Sequence, residues 1–147
     1  MNKVKPAKEK GVHVTNISIL AVDDENNVLT MIKNIFRDYD LVVSSNSIKA
    51  AEFLRDKGKK IDIFLIDYQM PGLNGIELCE IIREINDNDD FIIILGTAVG
   101  TTFLFEQEKE DNLFSYSALK PYSEDALRTV VTKAINFLGL SIRRRAS

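Results

Sequence analysis

The sequence contains a single cysteine, Cys79, among 147 residues. An internal disulfide needs two, and one thiolate cannot by itself hold zinc, so a disulfide-stapled scaffold and a structural zinc site are both excluded. Long apolar runs are missing as well. The most hydrophobic stretches, such as residues 91–95, fall far short of the roughly 20 residues that a membrane-spanning helix requires. The lysine-bearing start has no apolar segment ahead of a cleavage site, which argues against a secretory signal and makes the cytoplasm the expected compartment. Internal repeats and low-complexity tracts are also absent.

Positive charge is scarce in the body of the chain. Residues 1–13 carry Lys3, Lys5, Lys8 and Lys10 against Glu9, and Arg143, Arg144 and Arg145 lie at the other end. Each end is therefore +3, and since the whole is −3, residues 14–142 carry −9. So acidic a body argues against a nucleic-acid-binding face, and no membrane association is expected. The short basic ends are most simply solvated. With 45% hydrophobic and 28% charged residues, the composition is that of one soluble domain with a single core.

Along the chain, short β-rich runs alternate with segments of helical period. Residues 17–22 form an apolar run of strand length, and Val28, Leu29, Ile32, Ile35 and Phe36 then recur at helical spacing. A brief strand is expected at 41–43. Ser47 is a plausible N-cap for a helix presenting Ile48, Ala51 and Leu54. A third strand at 61–66 leads into a loop marked by Pro71-Gly72 and Asn74-Gly75, then a helix with Ile76, Cys79, Ile82 and Ile85. Strands are expected at 91–95 and 115–119, with a short fourth helix in 101–112. Ser123 caps a final helix carrying Leu127, Val130, Val131, Ala134 and Leu138. Five β-then-α units with near-continuous apolar strands predict an α/β fold. Its five-stranded parallel sheet is doubly wound, flavodoxin-like (βα)5, in strand order 2-1-3-4-5.

In such sheets the functional crevice lies beyond the carboxyl ends of the strands. Asp23-Asp24 ends the first strand, Asp67 the third, Thr97 lies near the end of the fourth and Lys120 at the end of the fifth. The predicted order makes those four strands neighbours, so the side chains meet. Clustered carboxylates repel unless a cation is present, and hard oxygen ligands suit Mg²⁺ better than zinc. A carboxylate can act as a nucleophile toward phosphorus, while an ammonium and a hydroxyl can bind phosphoryl oxygens. Each group has a task if a phosphoryl group is attached to Asp67.

Asp23-Asp24, "IDYQMPGLNG" at 66–75, "GTA" at 96–98 and Lys120-Pro121 together resemble the signature of response regulator receiver domains, over roughly residues 16–140. The resemblance implies a phosphorylation switch of a two-component system rather than a turnover enzyme. A sensor histidine kinase or phosphotransfer protein would phosphorylate Asp67. Mg²⁺ would be held by Asp23, Asp24, Asp67 and the backbone carbonyl of Gln69. Thr97 and Lys120 would act as switch groups, and Pro71, Gly75 and Pro121 would shape the site, with the Lys120-Pro121 bond cis as in relatives. It also implies a downstream protein target, and is compatible with phosphorylation-dependent homodimerisation. On this reading residues 1–15 are a basic flexible extension, 16–141 the receiver domain, and 142–147 a basic tail or the start of a linker.

The family's usual aromatic, three residues before the lysine, is here Ser117, with Tyr116 adjacent. Either the strand is bulged locally or the aromatic half of the switch is missing. The segment before the fifth strand, Asp111-Asn112-Leu113-Phe114, is also atypical. Duller roles exist for single residues: Asp23 or Asp24 as a helix cap, Asp67 as a turn former, Cys79 as a buried helix residue. Phe103, Phe105, Phe114 and Tyr116 fit either core or a partner-binding patch. His13, in the polar lead-in, is a poor phosphohistidine.

Two forms of the switch fit the sequence: a stand-alone regulator, or the receiver portion of a longer one with a DNA-binding or enzymatic output domain beyond residue 147. An aspartate-nucleophile phosphatase is disfavoured, because Gln69 stands where such enzymes place a second acid. A flavin-binding protein is disfavoured because Asp23, Asp24 and Glu25 would repel its phosphate.

Overall fold

The computed structural model describes residues 17–98 and 113–146. Its elements alternate as expected: β1 (Ser18–Val22), α1 (Asn26–Ile35), β2 (Asp40–Ser44), α2 (Ser47–Lys57), β3 (Ile63–Asp67), α3 (Gly75–Ile85), β4 (Ile92–Thr97), β5 (Tyr116–Leu119) and α4 (Glu124–Ala146). The strands form one parallel sheet in the order β2-β1-β3-β4-β5, the doubly wound flavodoxin-like arrangement. The short helix expected in 101–112 lies outside the described residues, as do Phe103 and Phe105. The last helix runs through Arg143, Arg144 and Arg145, within the stretch read from sequence as a tail or linker.

The central strands are buried along their whole length, because helices cover both faces and no polar side is needed. Alternation sorts their side chains into two cores. Leu20, Val22, Phe64, Ile66, Ile93 and Leu95 pack against Ala50, Ala51 and Leu54 of α2 and Leu78, Cys79 and Ile82 of α3. Ile19, Ala21, Ile63, Leu65, Ile92 and Ile94 pack against Leu29, Ile32 and Ile35 of α1 and Leu127, Val131 and Ala134 of α4. At roughly 1.5–3 kcal/mol for each large apolar side chain taken from water, these two layers are the main source of stability. Cys79 is fully buried within the first, and Phe114 is core as well.

Several local expectations need correction. The cap of α2 is Asn46, whose side chain accepts from the Lys49 N–H at 2.9 Å, and not Ser47. Ser47 is instead buried, and its hydroxyl accepts from the Leu73 N–H at 3.0 Å and donates to the Pro71 carbonyl at 3.2 Å. Ile48 and Ile85, expected on apolar helix faces, are exposed. Neither Asp23 nor Asp24 caps α1, whose N-cap is Glu25 without a side-chain cap bond. The caps of the other two helices follow local chemistry. Asn74 and Glu77 exchange bonds in a capping box at α3, and Ser123 accepts from the Ala126 N–H at 3.1 Å ahead of α4. β3 and β4 run on to Asp67 and Thr97, so the acidic and hydroxyl groups are held by the sheet itself.

Candidate phosphoacceptor site

The register explains why groups distant in sequence meet. Val22 pairs with Ile66, Asp67 with Gly96, and Gly96 with Ala118. Asp23, Asp67, Gly96 and Ala118 therefore form one row across four strands, and Lys120, two residues beyond Ala118, continues on the same side of the pleat. The row opens into a crevice of about 700 Å³ lined by Asp24, Asp67, Gln69, Gly96, Lys120 and Tyr122, among others.

Carboxylate oxygens of Asp23, Asp24 and Asp67 lie within 4.8 Å of one another. Asp23 and Asp67 are buried, Asp24 is exposed. The Lys120 ammonium sits among them, 2.9 Å from Asp23 Oδ2, 3.3 Å from Asp67 Oδ1 and 3.9 Å from Glu25 Oε1. The other Asp23 oxygen accepts from the Glu25 N–H at 2.9 Å, fixing the turn from β1 into α1.

Burial, then the charge of Asp23, raises the Asp67 carboxyl to about 6 against the opposing pull of Lys120. Burial alone would lower the Lys120 ammonium, but its hydrogen bond to Asp23 and the charges of Asp23 and Asp67 outweigh that and raise it. Among the described residues the crevice is thus short of positive charge: one ammonium faces three clustered carboxylates. An all-oxygen donor set with uncompensated negative charge fits a hard divalent cation such as Mg²⁺, and Gln69 lies at its edge.

The loop that follows Asp67 is shaped by close approach. A Cβ on Gly75 would come within 2.6 Å of the Asp67 carbonyl oxygen, so only glycine lets α3 begin against the end of β3. Pro71 lies in the same loop, tied to α2 by the Ser47 hydroxyl. The Lys120-Pro121 bond is cis.

Thr97 is buried at the end of β4, but it alternates with Ile93 and Leu95 and so starts on the side of the sheet opposite Gly96 and Asp67. It is not among the residues lining the crevice. Ser117 shares that opposite side and is exposed. The β4–β5 register is unbroken through Ser117, so no bulge turns Tyr116 inward in its place. Tyr116 packs with the α1 and α4 core.

Four residues of the site were given no role in it from the sequence: Glu25, read only as repelling a flavin phosphate, Ser47, read as a helix cap, Gly96, read only within a motif, and Tyr122, not singled out at all. A glycine inside an otherwise apolar strand was the available signal for Gly96, because such a glycine marks a close approach by another group.

An open, doubly wound sheet with an acidic, ammonium-bearing crevice at its carboxyl rim defines a class of α/β proteins that bind at strand ends. Residues 19–132 match the family model for the response regulator receiver domain, and the chain belongs to that family. It is 28% identical over 120 residues to sporulation initiation phosphotransferase F of Bacillus subtilis, covering 80% of this chain and 93% of that protein. Other curated relatives are longer, and the chain spans only 35%, 33% and 17% of three of them. Among solved structures, a response regulator receiver domain from Clostridium thermocellum superposes with a TM-score of 0.74 at 23% identity, covering 84% of this chain and 98% of that one. The receiver domain of a Saccharomyces cerevisiae response regulator, solved with the histidine phosphotransfer protein upstream of it, gives 0.70 at 20% identity over 81% of this chain and 88% of that one. Among the described residues, no helix is long and apolar enough to cross a membrane.

Proposed function

We propose that the protein is a phosphoacceptor switch, not a turnover enzyme, in which Asp67 takes a phosphoryl group from the phosphohistidine of a sensor kinase or phosphotransfer protein. The observation that carries this reading is the convergence of Asp23, Asp24 and Lys120 on Asp67 at the crevice mouth. In the transfer an Asp67 carboxylate oxygen forms a bond to phosphorus as the phosphorus–nitrogen bond of the donor breaks. The imidazole leaves with that electron pair and takes up a proton.

Asp23, Asp24, Asp67 and the Gln69 backbone carbonyl would hold Mg²⁺, which supplies charge neutralisation for the incoming phosphoryl group. The chain's own groups do the rest. Lys120, already beside Asp67, pairs with a phosphoryl oxygen. Asp23 keeps the ammonium in place. The Thr97 hydroxyl turns toward the phosphoryl group, which requires movement at the end of β4 because the pleat starts it on the far side. The new dianion-like group has more acceptor oxygens than the carboxylate and biases a two-state equilibrium. A differential affinity of about 1–3 kcal/mol is enough for a useful shift.

The surface around β5 and α4 carries the change to a downstream protein or to a second copy of the chain. The greater length of several relatives favours a second form of the same reading, in which this is the receiver portion of a regulator with a DNA-binding or enzymatic output domain. The test is incubation with Mg²⁺ and acetyl phosphate, read by intact mass. The expected result is one added phosphoryl group, lost in Asp67→Asn and on chelation of the metal. No added mass, or uptake equal in Asp67→Asn, overturns the reading.

A further inference from the structure

The aromatic ring of Tyr122 reaches back from the turn after β5 into the crevice. Its hydroxyl occupies the place where a Cβ on Gly96 would stand, so any side chain at residue 96 would displace it. Gly96 is the direct partner of Asp67 on the neighbouring strand. Adjacent strands run about 5 Å apart, which puts the hydroxyl beside the acceptor on its β4 side, with Asp23 on its β1 side. The Tyr122 ring also lies 5.5 Å from the Lys120 ammonium, on the scale of a cation–π contact. Among the described residues the hydroxyl makes no hydrogen bond.

A phenol held this way, next to carboxylates and without a partner, is a donor in search of an acceptor. An ordinary phenol keeps its proton at neutral pH, so the hydroxyl can only gain from more acceptor oxygens nearby.

We propose that Tyr122 is a phosphoryl-binding residue of this chain: once Asp67 is phosphorylated, the Tyr122 hydroxyl donates a hydrogen bond to a phosphoryl oxygen in the space that Gly96 leaves open. The proposal rests on Asp67 being the acceptor. It adds a donor that approaches from the same side of the sheet as Asp67, whereas Thr97 must come round from the other. Gly96 and Tyr122 act as a matched pair, one making the hole and the other filling it with a polar group.

The test uses the full chain with Mg²⁺ and beryllofluoride, which binds an aspartate carboxylate as a mimic of its phosphorylated form, read by calorimetry. Tyr122→Phe should weaken beryllofluoride binding about tenfold, the usual scale for losing one hydrogen bond to a charged group, while leaving the affinity for Mg²⁺ alone unchanged. Gly96→Ala should weaken it as well by pushing the ring out. The double variant Gly96→Ala/Tyr122→Phe separates hydrogen bonding from packing, since a Phe ring removes the hydroxyl clash and leaves its Cζ 2.9 Å from the added methyl, a contact that a small shift of the ring relieves. It should fold like the wild type yet bind beryllofluoride no better than Tyr122→Phe. Wild-type affinity in Tyr122→Phe, or its recovery in the double variant, overturns the role of the hydroxyl and leaves the acceptor reading intact. No binding of beryllofluoride by the wild type overturns both.

Discussion

On one side of the β4–β5 edge stand Asp67, Gly96, Ala118 and Lys120, and on the other Thr97, Ser117 and Leu119, so that two rows of side chains share a backbone but little else. The first row is crowded with charge, with Asp67 raised to about 6 and an ammonium wedged between two buried carboxylates. The second has no ionisable group, and beyond Thr97 it runs out into solvent, Leu119 being 56% exposed. A hydrogen bond from the Lys120 N–H to the Thr97 carbonyl, at 2.6 Å, ties the end of one row to the end of the other. The contrast separates two tasks that one strand pair can serve: holding an unfavourable charge cluster ready for a ligand, and presenting a surface whose shape can follow it.

The comparison breaks most visibly if the charged row carries no electrostatic load. Lys120→Met removes the ammonium that pairs with both Asp23 and Asp67 and leaves two buried carboxylates without it. Without divalent metal at pH 7 the variant should lose about 3 kcal/mol of stability, measured by urea unfolding. A loss under about 1 kcal/mol would mean that water, not Lys120, solvates these acids.

The next effect is a pH dependence. Because the Asp67 carboxyl is raised from about 3.8 to about 6 by folding, the native state binds more protons than the unfolded chain between those values. Stability therefore falls as pH rises through roughly 4 to 6, by on the order of 2 kcal/mol when other groups are subtracted. Urea midpoints of the wild type and Asp67→Asn, compared across this range without metal, isolate the contribution of this carboxyl. Asp67→Asn should be the more stable of the two at pH 7 and should lose that part of the slope. Identical pH profiles would contradict a raised Asp67 carboxyl.

A smaller effect concerns the loop after Asp67. Ser47→Ala deletes both bonds that hold the Pro71–Leu73 segment and should cost about 1–2 kcal/mol, with faster amide exchange at Leu73. Unchanged exchange there would mean that the loop is held by packing alone. The smallest effect belongs to the other row: Ser117→Ala should shift stability by no more than about 0.5 kcal/mol, because its side chain is exposed. A larger loss would give that face a structural role that the contrast denies it.

The charged row was legible in the sequence for a physical reason. Strands covered on both faces are apolar, so a carboxylate or ammonium at the end of such a run stands out, and the sheet order then brings Asp23, Asp67 and Lys120 together. Local signals were weaker. Ser47 looked like a cap because it precedes an apolar periodic segment, yet the neighbouring Asn46 has the geometry to cap, and Ser47 is drawn into a contact 26 residues away. Nothing in a one-dimensional pattern announces such a bond. Gly96 was read only as part of a motif, and its pairing with the Tyr122 hydroxyl depends on a turn that folds the ring back over β4. At Ser117 the sequence left two alternatives, and the unbroken register decides between them in favour of a missing aromatic.

The central claim is that Asp67 carries the phosphoryl group, and borohydride trapping addresses it most directly. After phosphotransfer from a phosphohistidine-bearing donor domain in Mg²⁺, reduction converts an aspartyl phosphate to homoserine, and peptide mapping locates it. The account predicts homoserine at residue 67 alone. Homoserine at residue 23 or 24, or phosphate found only on serine, threonine or histidine, would contradict it.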